Sequence, residues 1–580
     1  MKKILIAILG ILLLFSACGT GSPAATSLKV AVEESAWVEV ENNGLSVLPG
    51  EDVTFRIRLA EDFSLTDTDY RGDILLSQEE GTVLLTLKNV RYPTRVKLTL
   101  SSENFVLHYD PNGGRGEAFT EIQEKKKHLR PNTANALVPF SKEGCTLLCW
   151  NTQPDGSGKA VGLGSRITLG DAPVTLYAQW VNWTEERFFS WQEQDGAATI
   201  TDCSFDGKTL VIPGELGGLP VTRLAPGAFS NTKAETVVFP DKLETAEPGC
   251  FRDTGVRELY LFDNIQALSD DCFPEGTLET LHINAATAPA GAAKYKESCY
   301  ADKLDLLILS QDQNRLVFYG GCSMWYNLDI PAVLRTLNDR LYPVNLALNG
   351  AVNSELQLRI MLPYLHEGDV FFHTPELSSD SQMLRTTDMG SNEAKLWSGI
   401  EYNYDLLTCA DLRGIEGVLD SLVKYLNGKQ EKTSYSDIYR DYRGRVYCGS
   451  FGELPFPRFE PEAGELGDTV TLNRELITEE STQRLGQWYS RLQDKGISVF
   501  VSFACLNLDA LPEEERNNVH EVNDAIREAV ETMPGVVLLS DLMHFVYHNG
   551  HFFDTNYHLL SEYASTCTNT WMKNLKPYLR

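Results

Sequence analysis

The 580-residue chain carries 51 Lys and Arg residues against 80 Asp and Glu residues, which gives a formal net charge of -29. A charge this negative excludes binding to nucleic acid, anionic lipid or wall polyanions through bulk electrostatics, and it favours solubility. The length exceeds what one hydrophobic core usually supports, so we expect about three to five domains.

The N-terminus has the pattern of an export signal. Lys2 and Lys3 precede an apolar run over residues 4–15, and small residues lead to Cys18. A basic start and a run too short to span a bilayer predict a secretory signal peptide over residues 1–17. The cysteine directly after small residues resembles a bacterial lipobox. The resemblance implies that Cys18 carries a lipid and anchors an extracytoplasmic, surface-exposed protein to the cell membrane; a plain signal peptide with a chance cysteine is the alternative.

Residues 18–27 form a small-residue tether, and a β-rich segment follows. Over residues 28–102 apolar and polar residues alternate, as in residues 53–59 and 83–87, between turns rich in Gly, Asp and Asn. This period of two predicts a small β-sandwich. The segment contains no recognisable functional site.

Residues 103–182 carry a family motif. The segment contains a Tyr-Asp-Pro-Asn-Gly-Gly turn at residues 109–114, Trp150, an Asp-Gly-Ser-Gly turn at residues 155–158 and a closing strand that ends at Trp180. It closely resembles a Listeria-Bacteroides (internalin B-type) repeat. The resemblance implies a surface spacer of β-grasp shape with no catalytic residue.

Residues 183–290 repeat with a period of 22. Phe229, Phe251 and Phe273 are spaced at this interval, and so are Val237, Leu259 and Leu281. A fixed period of this length predicts stacked copies of one supersecondary unit. The units resemble BspA-type leucine-rich repeats, which implies a short solenoid. Its surface is predicted either to bind a glycan or protein ligand or to act as a spacer, and Cys250 and Cys272 are expected to be packed free thiols.

After a linker, residues 304–580 alternate strands with helices. Strands are predicted at residues 316–319, 344–348, 370–373, 497–503 and 536–539, and helices at 356–365, 482–495 and 513–533. This pattern predicts a three-layer α/β domain built on a parallel sheet. Ligands of such sheets bind beyond the carboxyl ends of the strands, where Cys322, Gly350, Glu376 and Asp554 are expected to meet.

Four motifs of this segment resemble those of the SGNH/GDSL hydrolase superfamily. They are the nucleophile turn at residues 318–323, an Asn-Gly pair at Asn349 and Gly350, residues 368–376, and Asp554 with His558. The resemblance implies an ester hydrolase or acyltransferase. In it His558 is the base, Asp554 orients the imidazole, and the amides of Cys322 and Gly350 hold the oxyanion.

The nucleophile position departs from the family pattern. Cys322 stands where most members have serine, and Ser323 follows it. A thiol at a helix start can ionise and attack an ester, so the alternatives are Cys322 as nucleophile, Ser323 as nucleophile, or an inert packed Cys322. The third motif also lacks its usual asparagine, and Asn349 is the candidate substitute as oxyanion donor.

Residues 377–474 form a predicted insertion rich in aromatic residues, which indicates either a sugar-stacking lid or an irregular packed segment. His544, His548 and His551 do not complete a zinc motif, so no metal or other cofactor is predicted.

Taken together, these segments predict a lipid-anchored surface protein with an esterase- or acyltransferase-like domain acting on envelope or external glycans. The alternative is a non-catalytic adhesin or scaffold with a degenerate hydrolase domain, and no nucleic-acid partner is expected in either case.

Overall fold

The computed structural model describes residues 27–61, 63–79, 81–102, 104–124, 132–133, 140–167, 172–284, 300–348, 352–375, 394–400, 404–428, 448–461, 466, 470, 472 and 474–579. The chain divides into two units. The first comprises residues 1–108, 121–125 and 170–174, and the second comprises residues 109–120, 126–169 and 175–580. The predicted signal peptide and Cys18 lie outside the described residues. No helix among the described residues is long and apolar enough to cross a membrane.

The first unit is built from antiparallel and mixed β-sheets. Its strands are β1 (Leu28–Val32), β2 (Val38–Val40), β3 (Leu45–Val47), β4 (Glu51–Leu59), β5 (Phe63–Thr68), β6 (Ile74–Glu79), β7 (Thr82–Val90), β8 (Thr94–Val96) and β9 (Leu98–Ser102). They form sheets in the orders β2-β4-β7-β6, β3-β1-β8 and β5-β9. Along β4, Val53, Phe55 and Ile57 are buried while the residues between them are exposed, which is the alternation that the sequence predicts.

The next segment forms a small β core closed by aromatic rings. Its strands are β10 (Asn104–Asp110), β11 (Phe119–Glu124), β12 (Asn132–Thr133), β13 (Cys145–Asn151), β14 (Ala160–Val161), β15 (Arg166–Ile167) and β16 (Val174–Asn182). Trp150 on β13 is fully buried and meets the Tyr109 ring at 5.2 Å between centroids and the Phe140 ring at 6.1 Å. These edge contacts make Trp150 the centre of the core.

Residues 189–284 form successive turns of the chain that each contribute short strands to shared sheets, and these turns are called the coils below. Their strands are β17 (Phe189–Gln194), β18 (Ala197–Cys203), β19 (Thr209–Val211), β20 (Glu215–Leu216), β21 (Leu219–Leu224), β22 (Thr236–Val238), β23 (Thr245–Ala246), β24 (Glu258–Phe262) and β25 (Thr280–Asn284). The parallel sheet β19-β22-β24-β25 pairs Thr236 with Glu258 and Glu258 with Thr280, so its register follows the 22-residue period. Inside, the Phe251 ring stacks on Phe229 at 4.5 Å and on Phe273 at 5.2 Å. Cys250 and Cys272 are fully buried free thiols, as expected.

The C-terminal region is an α/β assembly. Its elements are α1 (Tyr300–Leu309), β26 (Arg315–Gly320), α2 (Cys322–Asn327), α3 (Ile330–Leu337), β27 (Tyr342–Asn345), α4 (Ser354–Met361), β28 (Val370–Thr374), α5 (Ala394–Ile400), α6 (Val418–Gly428), α7 (Glu479–Asp494), β29 (Ser498–Val501), β30 (Leu506–Asn507), α8 (Val519–Glu531), β31 (Val537–Leu538), β32 (Val546–Tyr547) and α9 (Ser561–Leu575). Five strands make a parallel sheet in the order β27-β26-β28-β29-β31. The helix predicted from residue 513 begins later, at Val519, because a 3-10 turn (Arg516–Asn518) precedes it.

Hydrogen bonds of three side chains, Asp270, Asp405 and Asn284, connect modules of the second unit. The Asp270 carboxylate, on the last coil, accepts from the backbone N–H groups of Gly417 and Leu419 at the start of α6. The Asp405 carboxylate accepts from the Gly162 N–H at 2.9 Å, and Asn284 donates to the Leu148 carbonyl at 3.0 Å. These bonds join separate sequence modules.

Candidate active site

The predicted nucleophile turn follows β26, which lies between β27 and β28 in the sheet. Strand β26 ends at Gly320, where a Cβ atom would lie 2.8 Å from the carbonyl oxygen of Thr374 on β28. A side chain at position 320 would therefore clash with the neighbouring strand. Gly321 is the extended N-cap of α2, and Cys322 is the first residue of that helix.

The two candidate nucleophiles differ in exposure. Cys322 is partly exposed, whereas Ser323 has no exposed surface. A nucleophile must reach its substrate, so this difference favours Cys322 over Ser323 as the attacking group.

The acid and the imidazole of the last motif form a direct pair. The Nδ1 atom of His558 lies 2.7 Å from an Asp554 carboxylate oxygen. The same loop is closed by the Phe553 N–H, which donates to the His558 carbonyl oxygen at 2.7 Å. A carboxylate at Nδ1 fixes the tautomer and leaves Nε2 as the nitrogen that can take a proton.

Helix α2 and this loop lie against each other. The His558 ring stacks on the Tyr326 ring with 3.5 Å between centroids and 6° between planes. The Asn327 side chain donates to the Tyr557 carbonyl at 3.0 Å and accepts from the Leu559 N–H at 2.8 Å. Tyr326 is four residues after Cys322, and residues at this spacing share one side of a helix. The structure therefore brings the helix that begins at Cys322 to the loop that carries His558.

Arg458 is a site residue that the sequence reasoning missed. It comes from the predicted insertion, is only 5% exposed, and donates to the carbonyl oxygens of Tyr326 and, at 3.1 Å, Leu559. Burial lowers the pKa of Arg458 to about 10, against the opposing influence of Tyr326 and Asp554. The insertion contains several arginines among its aromatic residues, and nothing in the sequence singles out Arg458 or pairs it with Tyr326.

A buried lysine holds the segment that leads to the predicted oxyanion residues. Lys303 on α1 donates to the Ala347 carbonyl oxygen at 2.6 Å, and its ammonium lies 4.1 Å from the centroid of the Trp325 ring on α2. Lys303 thus connects α2 with the chain just before Asn349 and Gly350. These two residues, and Glu376 of the third motif, lie outside the described residues.

The third motif places His373 in the core rather than at a surface. Its ring is buried, and Nδ1 lies 2.7 Å from the Tyr489 hydroxyl. Burial lowers the pKa of His373 to about 3, so the imidazole is neutral. His373 is therefore a structural residue of the sheet.

His548 and His551 lie near each other, with 6.0 Å between ring centroids, and each has a further partner of its own. His548 pairs with Asp509 at 3.1 Å, and His551 stacks on Tyr563 at 4.1 Å. In the described part of the chain, no group of three or more His, Cys, Asp or Glu residues is placed to hold a metal ion.

The aromatic residues of the insertion show two kinds of environment. Phe451 packs against Tyr342 with 5.3 Å between ring centroids, whereas Phe459 is 80% exposed. The tyrosines at positions 435, 439, 442 and 447 lie outside the described residues, so the lid hypothesis stays a prediction.

Comparisons with known proteins give short matches only. No family model matches the chain. Two proteins of Evansella cellulosilytica are similar over part of it. One, named "Putative membrane protein", is 35% identical over 83 residues, 14% of this chain and 12% of that protein. The other, named "Putative Gly-rich membrane protein", is 31% identical over 114 residues, 19% of this chain and 12% of that protein.

This chain therefore matches only a small fraction of either relative's length. Among solved structures, a leucine-rich repeat protein of T. pallidum aligns with 18% of this chain and 50% of its own, at 19% identity and a TM-score of 0.17. A score this low carries no argument about fold or function.

Proposed function

We propose that the C-terminal region is an SGNH-like ester hydrolase or O-acyltransferase that uses Cys322 as nucleophile. The observation that carries the proposal is the contact between α2 and the Asp554–His558 loop through the 3.5 Å ring stack of Tyr326 on His558. The contact joins the helix that begins with a partly exposed thiol to the loop that carries an imidazole and the carboxylate that orients it, and these are the three groups that acyl transfer needs.

The proposed reaction has two steps. His558 takes the thiol proton of Cys322, and the thiolate attacks the carbonyl carbon of an ester. The S–C bond forms, the C–O bond breaks, and the alcohol leaves with the proton from His558. Water or an acceptor hydroxyl, deprotonated by His558, then cleaves the thioester and restores the thiol. The amides of Cys322 and Gly350, with Asn349, are the proposed donors to the oxyanion.

The proposed substrate is an acetyl group on an envelope or external glycan. We place the enzyme on the bacterial surface, anchored by a lipid on Cys18, with the internalin B-type and BspA-type repeats as its stem or as a binding surface. The names of the two relatives support an association with the membrane. The charge of -29 argues against recognition of polyanions.

Hydrolysis of 4-nitrophenyl acetate by the full chain tests the chemistry. We expect turnover that C322A and H558A abolish and S323A retains. Mass spectrometry after a rapid quench should show an acetyl group on the peptide that contains Cys322. Turnover that survives in C322A would overturn the assignment of the nucleophile.

A non-catalytic scaffold is the second candidate function. The specific observation in its favour is that the His558 side chain is only 5% exposed, which restricts access to the proposed base. Absence of turnover with acetyl, longer acyl and thioester donors, together with glycan or protein binding by the full chain, would favour this function.

A further inference from the structure

The guanidinium of Arg458 donates to the carbonyl of Leu559, the residue after the proposed base. In the part of the chain that the structure describes, it forms no ion pair, although the charge of Asp554 acts on it. Its acceptors within the described residues are main-chain carbonyls: those of Tyr326, Leu559 and, at 3.3 Å, Phe456. Carbonyl dipoles satisfy the N–H donors but do not cancel a full positive charge. Because the residue is 5% exposed, water screens this charge weakly.

The charge is close to the stacked rings. The guanidinium carbon lies 5.7 Å from the centroid of the Tyr326 ring, and that ring is 3.5 Å from the His558 ring. The backbone holds Arg458 in place, because its N–H donates to the Ser561 hydroxyl and its carbonyl accepts from the Ser561 N–H, both at 2.8 Å. The arginine is therefore fixed between the helix of the nucleophile and the loop of the base.

The two charges near His558 act in opposite directions. Asp554, on its own loop, favours the imidazolium, whereas a guanidinium disfavours it. Helix α2 contacts the His558 ring through Tyr326 and has Cys322 as its first residue. A second thiol, that of Cys505, donates to the carbonyl of Tyr557, the residue before His558, at 3.2 Å. Among these groups Arg458 is the one with a permanent positive charge.

We propose that Arg458 is a positioning residue whose buried charge offsets Asp554 and keeps the imidazole of His558 unprotonated at neutral pH, ready to accept a proton. The inference rests on the proposed function for its purpose, but the electrostatic effect on His558 exists whether or not the protein turns over a substrate. It also gives the insertion a role in the active site: the insertion supplies the arginine that joins α2 to the last loop.

The test is the titration of His558 by NMR in the full chain, with histidine labelled at ring carbon Cε1. The wild-type signal that is missing from the spectrum of H558Q is assigned to His558. In R458Q, which removes the charge and keeps a hydrogen-bond donor, we expect the pKa of His558 to rise by about one pH unit. In R458K, which keeps the charge and loses the fork of donors, we expect a value within a few tenths of the wild type.

Two results would overturn the proposal: an unchanged pKa of His558 in R458Q, or equal changes in R458Q and R458K, which would point to lost geometry instead of lost charge. If R458Q does not fold, the coupling between Arg458 and His558 is tested in the wild type. The Arg458 Nε resonance must shift as His558 titrates, and a constant Nε shift would refute the coupling.

Loss of the proposed function alone gives a different result. In that case 4-nitrophenyl acetate is not hydrolysed, yet the titration of His558 still responds to R458Q. If the protein is active, the acidic limb of the pH–rate profile should move to higher pH in R458Q and stay in place in R458K.

Discussion

At the scale of single residues, the hydrogen bond between Asp554 and His558 is the contact most directly tied to the proposed chemistry. In D554N an amide replaces the carboxylate, so Nδ1 loses its anionic acceptor and the wrong tautomer of the imidazole is favoured. We expect kcat on 4-nitrophenyl acetate to fall by about 10³-fold or more. D509N, which alters the separate pair of Asp509 with His548, is the matched control and should leave kcat within a factor of about two.

A buried neutral histidine makes stability depend on pH. In the folded chain burial holds the pKa of His373 at about 3, below its ordinary value of 6.5. As pH falls below 6.5, the unfolded chain binds a proton that the folded chain does not, so stability is complete above this pH and declines from there towards pH 3. The difference at pH 5 is about 2 kcal/mol.

Urea unfolding at pH 7 and pH 5 measures this difference. Between the two pH values, the wild type should lose about 2 kcal/mol more than H373N, which has no imidazole to protonate. An equal loss in both proteins would show that other groups account for the acid sensitivity.

At the scale of elements, Asn327 joins the end of α2 to the last loop. The residue is fully buried, and its side chain makes one hydrogen bond to Tyr557 and another to Leu559. In N327A the buried Leu559 N–H loses its acceptor and the Tyr557 carbonyl loses one of its donors, and we expect a loss of about 2–4 kcal/mol in the free energy of unfolding. N517A, at an exposed position, is the control and should change it by less than about 0.5 kcal/mol. A loss below about 1 kcal/mol in N327A would contradict the assigned role.

The phenylalanine column of the coils offers a comparison within one structure. Phe251 has a stacked ring on both sides, whereas Phe273 is the last of the three rings and is 7% exposed. Truncation of the central ring removes more contacts, so F251A should cost about 3–5 kcal/mol in the free energy of unfolding and F273A distinctly less. Thermal denaturation of the two variants gives the order, and a larger effect in F273A would contradict it.

Local patterns predicted the elements better than their junctions. The 22-residue period predicted stacked copies of one unit, and the observed register of β22, β24 and β25 follows that period. The strand-helix alternation predicted the parallel sheet of the C-terminal region. Both follow from periodicity within short windows. Asp329 shows the limit of such reasoning, because an aspartate directly before a helix ordinarily caps that helix. Asp329 does precede α3, but its carboxylate accepts a hydrogen bond from Ser565 of α9 at 2.6 Å and makes no cap bond to its own helix.

The candidate site was predictable to the same extent. Cys322, Asp554 and His558 stand in motifs that resemble those of a hydrolase superfamily, and the proposed chemistry restricts the residue types at those positions. Arg458 and Asn327 act through contacts with residues more than one hundred positions away in the chain. Such contacts depend on the tertiary fold, and no local period or motif encodes them.

At the scale of the whole molecule, the carboxylates between modules have a measurable role. Asp270 accepts two backbone N–H groups at the start of α6, and burial raises its pKa. In D270A those donors lose their acceptor, so we expect the coils and the C-terminal region to unfold in two calorimetric transitions instead of one. D271A, at the exposed neighbouring position, should keep a single transition. One unchanged transition in both variants would show that the contact does not couple the modules.

The last strand of the coils, β25, has its outer edge against the segment at residues 404–412, where the Leu412 N–H donates to the Glu279 carbonyl at 2.9 Å. Repeat arrays need a terminal cap that covers their exposed end, and here the downstream α/β region provides it. A nascent polypeptide therefore leaves the repeats open until the C-terminal third has been synthesised. Fragments that stop near residue 290 expose the edge of β25 and should aggregate through it. The repeats therefore cannot be moved into another protein by themselves.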